Sequence, residues 1–123
     1  MMSAKLAGVQ DSLAREQRIQ YMSISIDPEN DTPDELRKYA QEYHAMPGRW
    51  YFLTGAKPAI YRLAREGLHL SVEPDSSNGI LHSEKFVLLD HAASIRGYYD
   101  SGDDEAIQLL RRDARLLARR IGR

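Results

Sequence analysis

Ser23-Ile24-Ser25-Ile26-Asp27-Pro28-Glu29-Asn30-Asp31-Thr32-Pro33 holds a strand, its stop and the start of a helix in one short stretch. Met22, Ile24 and Ile26 alternate with Ser23 and Ser25, the period of a strand with small residues on one face. Asp27-Pro28 ends it, because proline has no N–H to donate to a ladder. Thr32 can then cap a helix, Pro33 suits the first helical position, and Glu35 completes a capping box. Leu36, Tyr39, Ala40 and Tyr43 supply that helix with a buried stripe. A strand feeding directly into a helix is the repeating unit of an α/β protein.

The flanks continue the alternation. Upstream, Met2, Leu6, Val9 and Leu13 fall at helical spacing and predict a helix over 3–17. Downstream, Met46-Pro47-Gly48 breaks the second helix, and Trp50 to Leu53 reads as a short buried strand. Pro58 opens a third helix with Ile60, Leu63 and Ala64 inward, closed by Gly67. Leu68, Leu70 and Val72 alternate as a short strand before the polar loop Pro74 to Gly79. Phe86 to Leu89 forms an interior strand whose hairpin partner, Ile95 to Tyr99, lies across the turn Asp90 to Ser94. A last helix runs from about Asp104 to Ile121, with Ile107, Leu110, Ala114, Leu117 and Ile121 on one face. Early alternation implies parallel strands with helical crossovers, and the late hairpin adds an antiparallel edge. Residues 1–123 read as one α/β domain.

Composition narrows the chemistry. The chain is 42% hydrophobic and 28% charged, in the range of ordinary globular domains, and its net charge of -1 suggests neither a nucleic-acid nor a membrane partner. Arg111, Arg112, Arg115, Arg119, Arg120 and Arg123 gather at the end and read as the solvated face of the last helix, with an anionic partner as the lesser reading. There is no cysteine, so disulfides, thiolate metal sites and thiol redox chemistry cannot be carried by this chain alone. No apolar run approaches the roughly 20 residues that span a bilayer.

Three stretches together resemble the Sco/SenC family of copper chaperones. The first is Ser23 to Pro33, similar to the family's strand-loop-helix signature, and the second is Trp50-Tyr51-Phe52-Leu53-Thr54-Gly55. The third is Ile80-Leu81-His82-Ser83, followed by Phe86-Val87-Leu88-Leu89-Asp90 and Arg96-Gly97-Tyr98-Tyr99. The resemblance runs from Met1 to about Leu117. It implies a thioredoxin-like three-layer sandwich and a non-enzymatic role in delivering copper to the copper centre of a respiratory oxidase. The family faces the periplasm or intermembrane space from a membrane anchor, and its members hold copper with a Cys-x-x-x-Cys-Pro loop plus a distant histidine. His82 occupies the position of that histidine.

The resemblance also implies what is missing. The family's cysteines lie just before the helix that matches 3–17, and this sequence begins at Met1-Met2-Ser3-Ala4. The expectation is an N-terminal truncation that removes the cysteine loop and the strand leading into it, with a Cys-less paralogue as the alternative origin. In the family that strand is central, between the strands matching 21–26 and 84–90. Its loss leaves two inner edges open, each unpaired buried group costing about 1–3 kcal/mol if dry. Open edges pair readily with other chains. The gap then closes, fills with a supplied segment, or is shared with a second copy in a homo-oligomer.

With His82 as the one expected ligand left, copper binding by this chain is weak or absent, since Cu(I) favours thiolates. The thioethers of Met1 and Met2 are weaker substitutes and more ordinarily pack in a core. His44, His69 and His91 read as surface residues. Asp27, Glu29 and Asp31 hint at calcium, but in the EF-hand template the glycine position falls on Thr32 and the last ligand on Lys38. A turn and cap is the plain reading. In the family this loop sits near the metal, so Asp27 or Asp31 could tune a ligand. A hydrolase built on His82 with Asp27 or Asp31 lacks an activated nucleophile, because Ser83 and His82, adjacent on a strand, point to opposite faces. The class-different alternative is an interaction module on a thioredoxin scaffold with neither metal nor redox chemistry.

Overall fold

A computed structural model describes residues 2–25, 27–70 and 85–121. The elements in chain order are α1 (Met2–Ser12), β1 (Tyr21–Ile24), α2 (Pro33–Glu42), β2 (Trp50–Leu53), α3 (Lys57–Arg62), β3 (Lys85–Leu89), β4 (Ile95–Asp100) and α4 (Asp104–Ile121). The fold is α/β, as the alternating pattern requires. The chain divides into two compact units, Met1–Tyr21 with Glu84–Arg123, and Met22–Ser83.

In the first unit, α4 packs on both α1 and β4. Val9 and Leu13 of the N-terminal segment, at 2% and 1% exposure, are its most deeply buried apolar side chains, joined by Ile107, Leu110, Ala114 and Ala118 of α4 and by Tyr99 of β4. The helix over α4 is the one that the i, i+3, i+4 pattern predicts. Asp103 caps it, its Oδ1 accepting the Glu105 N–H at 3.0 Å. Helix α1 is shorter than the predicted 3–17. The Ser12 hydroxyl bonds back to the Gly8 carbonyl at 2.8 Å, and beyond Leu13 the chain continues as turns, with Glu16 N–H donating to Leu13 O.

Strands β3 and β4 form the predicted hairpin, antiparallel, with Lys85 opposite Asp100, Val87 opposite Tyr98 and Leu88 opposite Gly97. Leu89 then faces Ile95, so Arg96 is the extra residue of a bulge. Asp90 builds the turn: its Oδ1 accepts the N–H groups of Ala92 and Ser94, each at 2.9 Å, and Ala93 takes a positive φ of 62°. Gly97 is required by space. A Cβ there would lie 2.8 Å from the hydroxyl and 3.0 Å from two ring carbons of Tyr99.

In the second unit, β1 and β2 form a two-stranded sheet. The serine face of β1 is the one turned inward: Ser25 is buried, Ser23 accepts the indole N–H of Trp50 at 3.0 Å, and Met22 is 60% exposed. Trp50 is buried and stacks on Phe52 with centroids 5.0 Å apart. Tyr51 and Leu53 are partly exposed, so β2 alternates and is not the buried strand that its composition suggests. Helix α2 opens as predicted, with Thr32 Oγ1 accepting the Glu35 N–H at 3.3 Å. The second half of the capping box does not form, because the Glu35 carboxylate pairs with Lys38 at 3.0 Å. Leu36 is buried, whereas Tyr39 lies outside the expected stripe.

The third helix corrects two expectations. After Arg62 it widens into a π turn over Leu63–Gly67, with Leu68 N–H donating to Leu63 O at 2.8 Å. The extra residue moves the helix end past Gly67 to His69, which adopts φ 52° while Leu70 N–H bonds to Ala64 O. Leu68 and Leu70 therefore belong to this helix end and not to a strand; Val72 and the loop from Pro74 lie outside the described residues. Leu70 and Tyr61 pack on buried Ala64.

Each of the two sheets has two strands. Among the described residues, β1 has only β2 beside it and β3 only β4. The central strand that the resemblance calls for is not among them.

Candidate functional site

The loop between β1 and α2 is the part of the expected site that falls on described residues. Its geometry is set by one buried hydroxyl. Ser25 Oγ donates to Asp31 Oδ2 at 2.7 Å and accepts the Asp27 N–H at 3.1 Å. The backbone of Ser25 is fixed in turn by β2, its N–H donating to Leu53 O at 2.8 Å. Asp27 closes the turn that contains Pro28, its carbonyl accepting the N–H groups of Asn30 and Asp31 at 3.2 and 2.9 Å. Its carboxylate accepts the Asn30 side-chain amide at 2.8 Å.

In the acidic triplet, Asp27 Oδ2 accepts from Asn30, Asp31 Oδ2 accepts from Ser25, and Glu29 is exposed. The loop is a hydrogen-bonded turn that delivers the chain into the cap at Thr32. The Asp31 charge also reaches α2: it is the largest cause holding the Tyr39 phenol above its ordinary range, followed by partial burial and by Glu35. No three His, Asp or Glu side chains gather as a metal site among the described residues.

The remaining candidates separate clearly. His82, Ser83 and Met1 lie outside the described residues. His44, His69 and His91 are exposed, as surface residues should be. His44 and His69 sit at helix ends with φ of 54° and 52°. The terminal arginines are largely a solvated face: Arg112 holds Asp113 through Nε and Nη2 at 3.2 and 3.1 Å, and Arg119 lies 3.7 Å from Glu16.

Two features escaped the sequence reading. One is the Tyr99–Asp113 bond at 2.6 Å, which joins β4 to α4. Burial first, and then this bond, pushes the Tyr99 phenol up to about 12. The other is Arg111, which stands with Ile107, Ala114 and Ala118 on the inward side of α4 and is only partly exposed. The available signal was an arginine in register with the apolar stripe.

Comparison with known proteins places the chain. The SCO1/SenC family model matches residues 1–118. The SCO1 protein homolog of Bacillus subtilis (strain 168) is 32% identical over 91 residues, which make up 72% of this chain and 47% of that protein. The chain thus spans about half the length of the curated relative it matches. A SCO1/SenC family lipoprotein from Bacillus anthracis str. Ames shares the fold with a TM-score of 0.82 at 24% identity, over 95% of this chain and 71% of that one. BsSco, a member of the Sco family of cytochrome c oxidase assembly proteins in which a disulfide switch was identified, matches with a TM-score of 0.80 at 25% identity, over 95% and 70% of the two chains. No helix among the described residues is long and apolar enough to cross a membrane.

Proposed function

The chain belongs to the SCO1/SenC family, and from that premise we propose that it is a single domain, residues 1–123, of a copper chaperone serving assembly of the copper centre of a respiratory oxidase. Copper is the cargo, an oxidase subunit the recipient, and the periplasmic face of a membrane the setting. His82 is the one copper ligand this stretch contributes. The observation that carries the reading is a family match that spans residues 1–118, a range that includes Ile80-Leu81-His82-Ser83.

The donor set defines what the chain does alone. Soft thiolates select Cu(I), whereas an imidazole accepts either oxidation state. Without a cysteine, a lone imidazole cannot compete with a three-ligand site, and ligand exchange has no second donor to pass through. The 123-residue chain is therefore inactive in copper delivery by itself. The Ser25–Asp31 loop supports the site from the protein side by fixing the entry to α2.

The test is anaerobic competition for Cu(I) with a chromophoric chelator. It compares this chain with the chain preceded by whatever its gene encodes upstream in frame. The isolated chain leaves the copper on the chelator. If the upstream segment carries a Cys-x-x-x-Cys-Pro loop, the longer protein takes it, and His82→Ala weakens binding by roughly tenfold or more. Equal affinity in the longer protein with and without His82 overturns the ligand assignment.

The absence of cysteine favours one second reading, an interaction module that keeps the scaffold without metal or redox chemistry. An upstream frame encoding a strand but no cysteine pair would establish it over the copper reading.

A further inference from the structure

Gly8 lies inside α1, where glycine weakens a helix. Its φ is not positive, so the backbone does not call for it. A Cβ on Gly8 would point at Arg111 of α4 and make only ordinary contact with Nη2 at 3.5 Å, so glycine relieves no clash and leaves that space open. Ala4, one turn earlier, is also small. Together they floor a groove of about 300 Å³ between α1 and α4, with Lys5, Asp104, Ile107, Gln108 and Arg111 around it.

The charges in this groove do not cancel. Lys5 and Asp104 neutralise each other, with Nζ and Oδ1 3.2 Å apart. Among the described residues Arg111 has no such partner, and its enclosed Nε meets no acceptor. Its neighbours on α4 behave differently, Arg112 meeting Asp113 and Arg119 meeting Glu16. A guanidinium carries five N–H donors and no acceptor, and enclosing one without an acceptor is costly. The planar fork matches the paired oxygens of a carboxylate or a phosphate. The walls carry two cations against one anion, a polar amide and no aromatic ring, which suits a small oxyanion and not an extended apolar ligand.

We propose that the groove between α1 and α4 is a binding site for a small oxyanion, a phosphate or carboxylate group, held by Arg111 above Gly8. The site is separate from the copper reading, and its test contains no metal.

The probe is inorganic phosphate, added at constant ionic strength while the arginine side-chain Nε–H resonances of the 123-residue chain are followed by NMR. Arg111 shifts along a saturating curve and the other arginines move little. In Arg111→Gln the saturating shift at the Gly8 and Lys5 amides disappears. Gly8→Leu fills the groove, leaves every charge in place, and weakens binding by roughly tenfold or more. Should Gly8→Leu disturb helix packing, Gly8→Ala adds a single Cβ at contact distance and gives a smaller loss. Arg115→Gln, on the same helix, leaves binding unchanged. Acetate as a second probe reports whether a carboxylate serves, and its saturating competition with phosphate supports the site. Linear shifts spread over all arginines, or equal binding in Arg111→Gln and the unaltered chain, overturn the proposal. So does binding to phosphatidylglycerol vesicles that free phosphate does not compete with.

Discussion

Replacing Tyr99 by phenylalanine removes one oxygen atom from the joint between β4 and α4. Tyr99 is 7% exposed, and its hydroxyl donates to Asp113 Oδ2 at 2.6 Å. The other carboxylate oxygen, Oδ1, stays with Arg112. A hydrogen bond to a charged acceptor contributes about 1.5–3 kcal/mol. The Asp113 side chain is 34% exposed, so water reaches the oxygen that Tyr99 vacates and the loss falls at the low end of that range. The hydroxyl covers Gly97, where no side chain waits to collapse, so little packing is regained. Tyr99→Phe should therefore cost about 1.5 kcal/mol, read from urea unfolding followed by far-UV circular dichroism.

The same bond predicts a pH signature. It is the largest cause holding the Asp113 carboxyl below its usual range, with Arg112 adding to it. A carboxyl depressed in the folded state contributes stability above its unfolded pKa and loses it as pH falls through the folded value. The difference between wild type and Tyr99→Phe is thus full at neutral pH and shrinks in acid. At the alkaline end the Tyr99 phenol, raised from 10.0 to about 12, keeps its full stabilising effect below pH 10 and loses it as pH climbs towards 12. Tyr99→Phe removes that alkaline loss. A cost under about 0.5 kcal/mol at pH 7, the level of an unremarkable surface change, would refute the reasoning. A cost that stays constant into acid would refute it too.

Three further outcomes follow from other residues. Ser23→Ala strips the Trp50 indole N–H of its acceptor at a buried position and should cost about 1–2 kcal/mol, with a shift in Trp50 fluorescence; unchanged stability and emission would deny the bond. Ala93→Gly relieves a positive φ of 62° in the hairpin turn and should raise stability by roughly 0.5–1 kcal/mol, measurable by the urea midpoint. Asp90 is held below the usual carboxylate range first by the Ser94 N–H, then by the Ala92 N–H and Arg96, so the hairpin amides should lose hydrogen-exchange protection as pH falls through its depressed pKa; Asp90→Asn keeps an acceptor and flattens that pH dependence.

Sequence alone was enough for the elements whose signals are local. The Thr32-x-x-Glu35 cap with Pro33, the turn flanked by Phe86 to Leu89 and Ile95 to Tyr99, and the apolar stripe of α4 rest on neighbours three or four residues apart or on alternation along a strand. Such signals need no distant partner, and the structure forms these elements where the pattern puts them. The family was legible for a related reason, since its three stretches keep their order along the chain.

What depended on contacts between distant residues was decided by tertiary structure. Ser23 faces inward because Trp50, 27 residues away, brings an indole N–H that needs an oxygen, and Met22 turns outward as a consequence. His69 ends the third helix because one π turn displaces the end past Gly67, a register change that no single residue announces. Gly8 and Arg111 look like an isolated glycine and one arginine among six until α1 and α4 pack and set them face to face. Periodicity fixes which face a residue occupies on its own element. It carries no information about what that face meets, because the partner is chosen by packing across the whole chain.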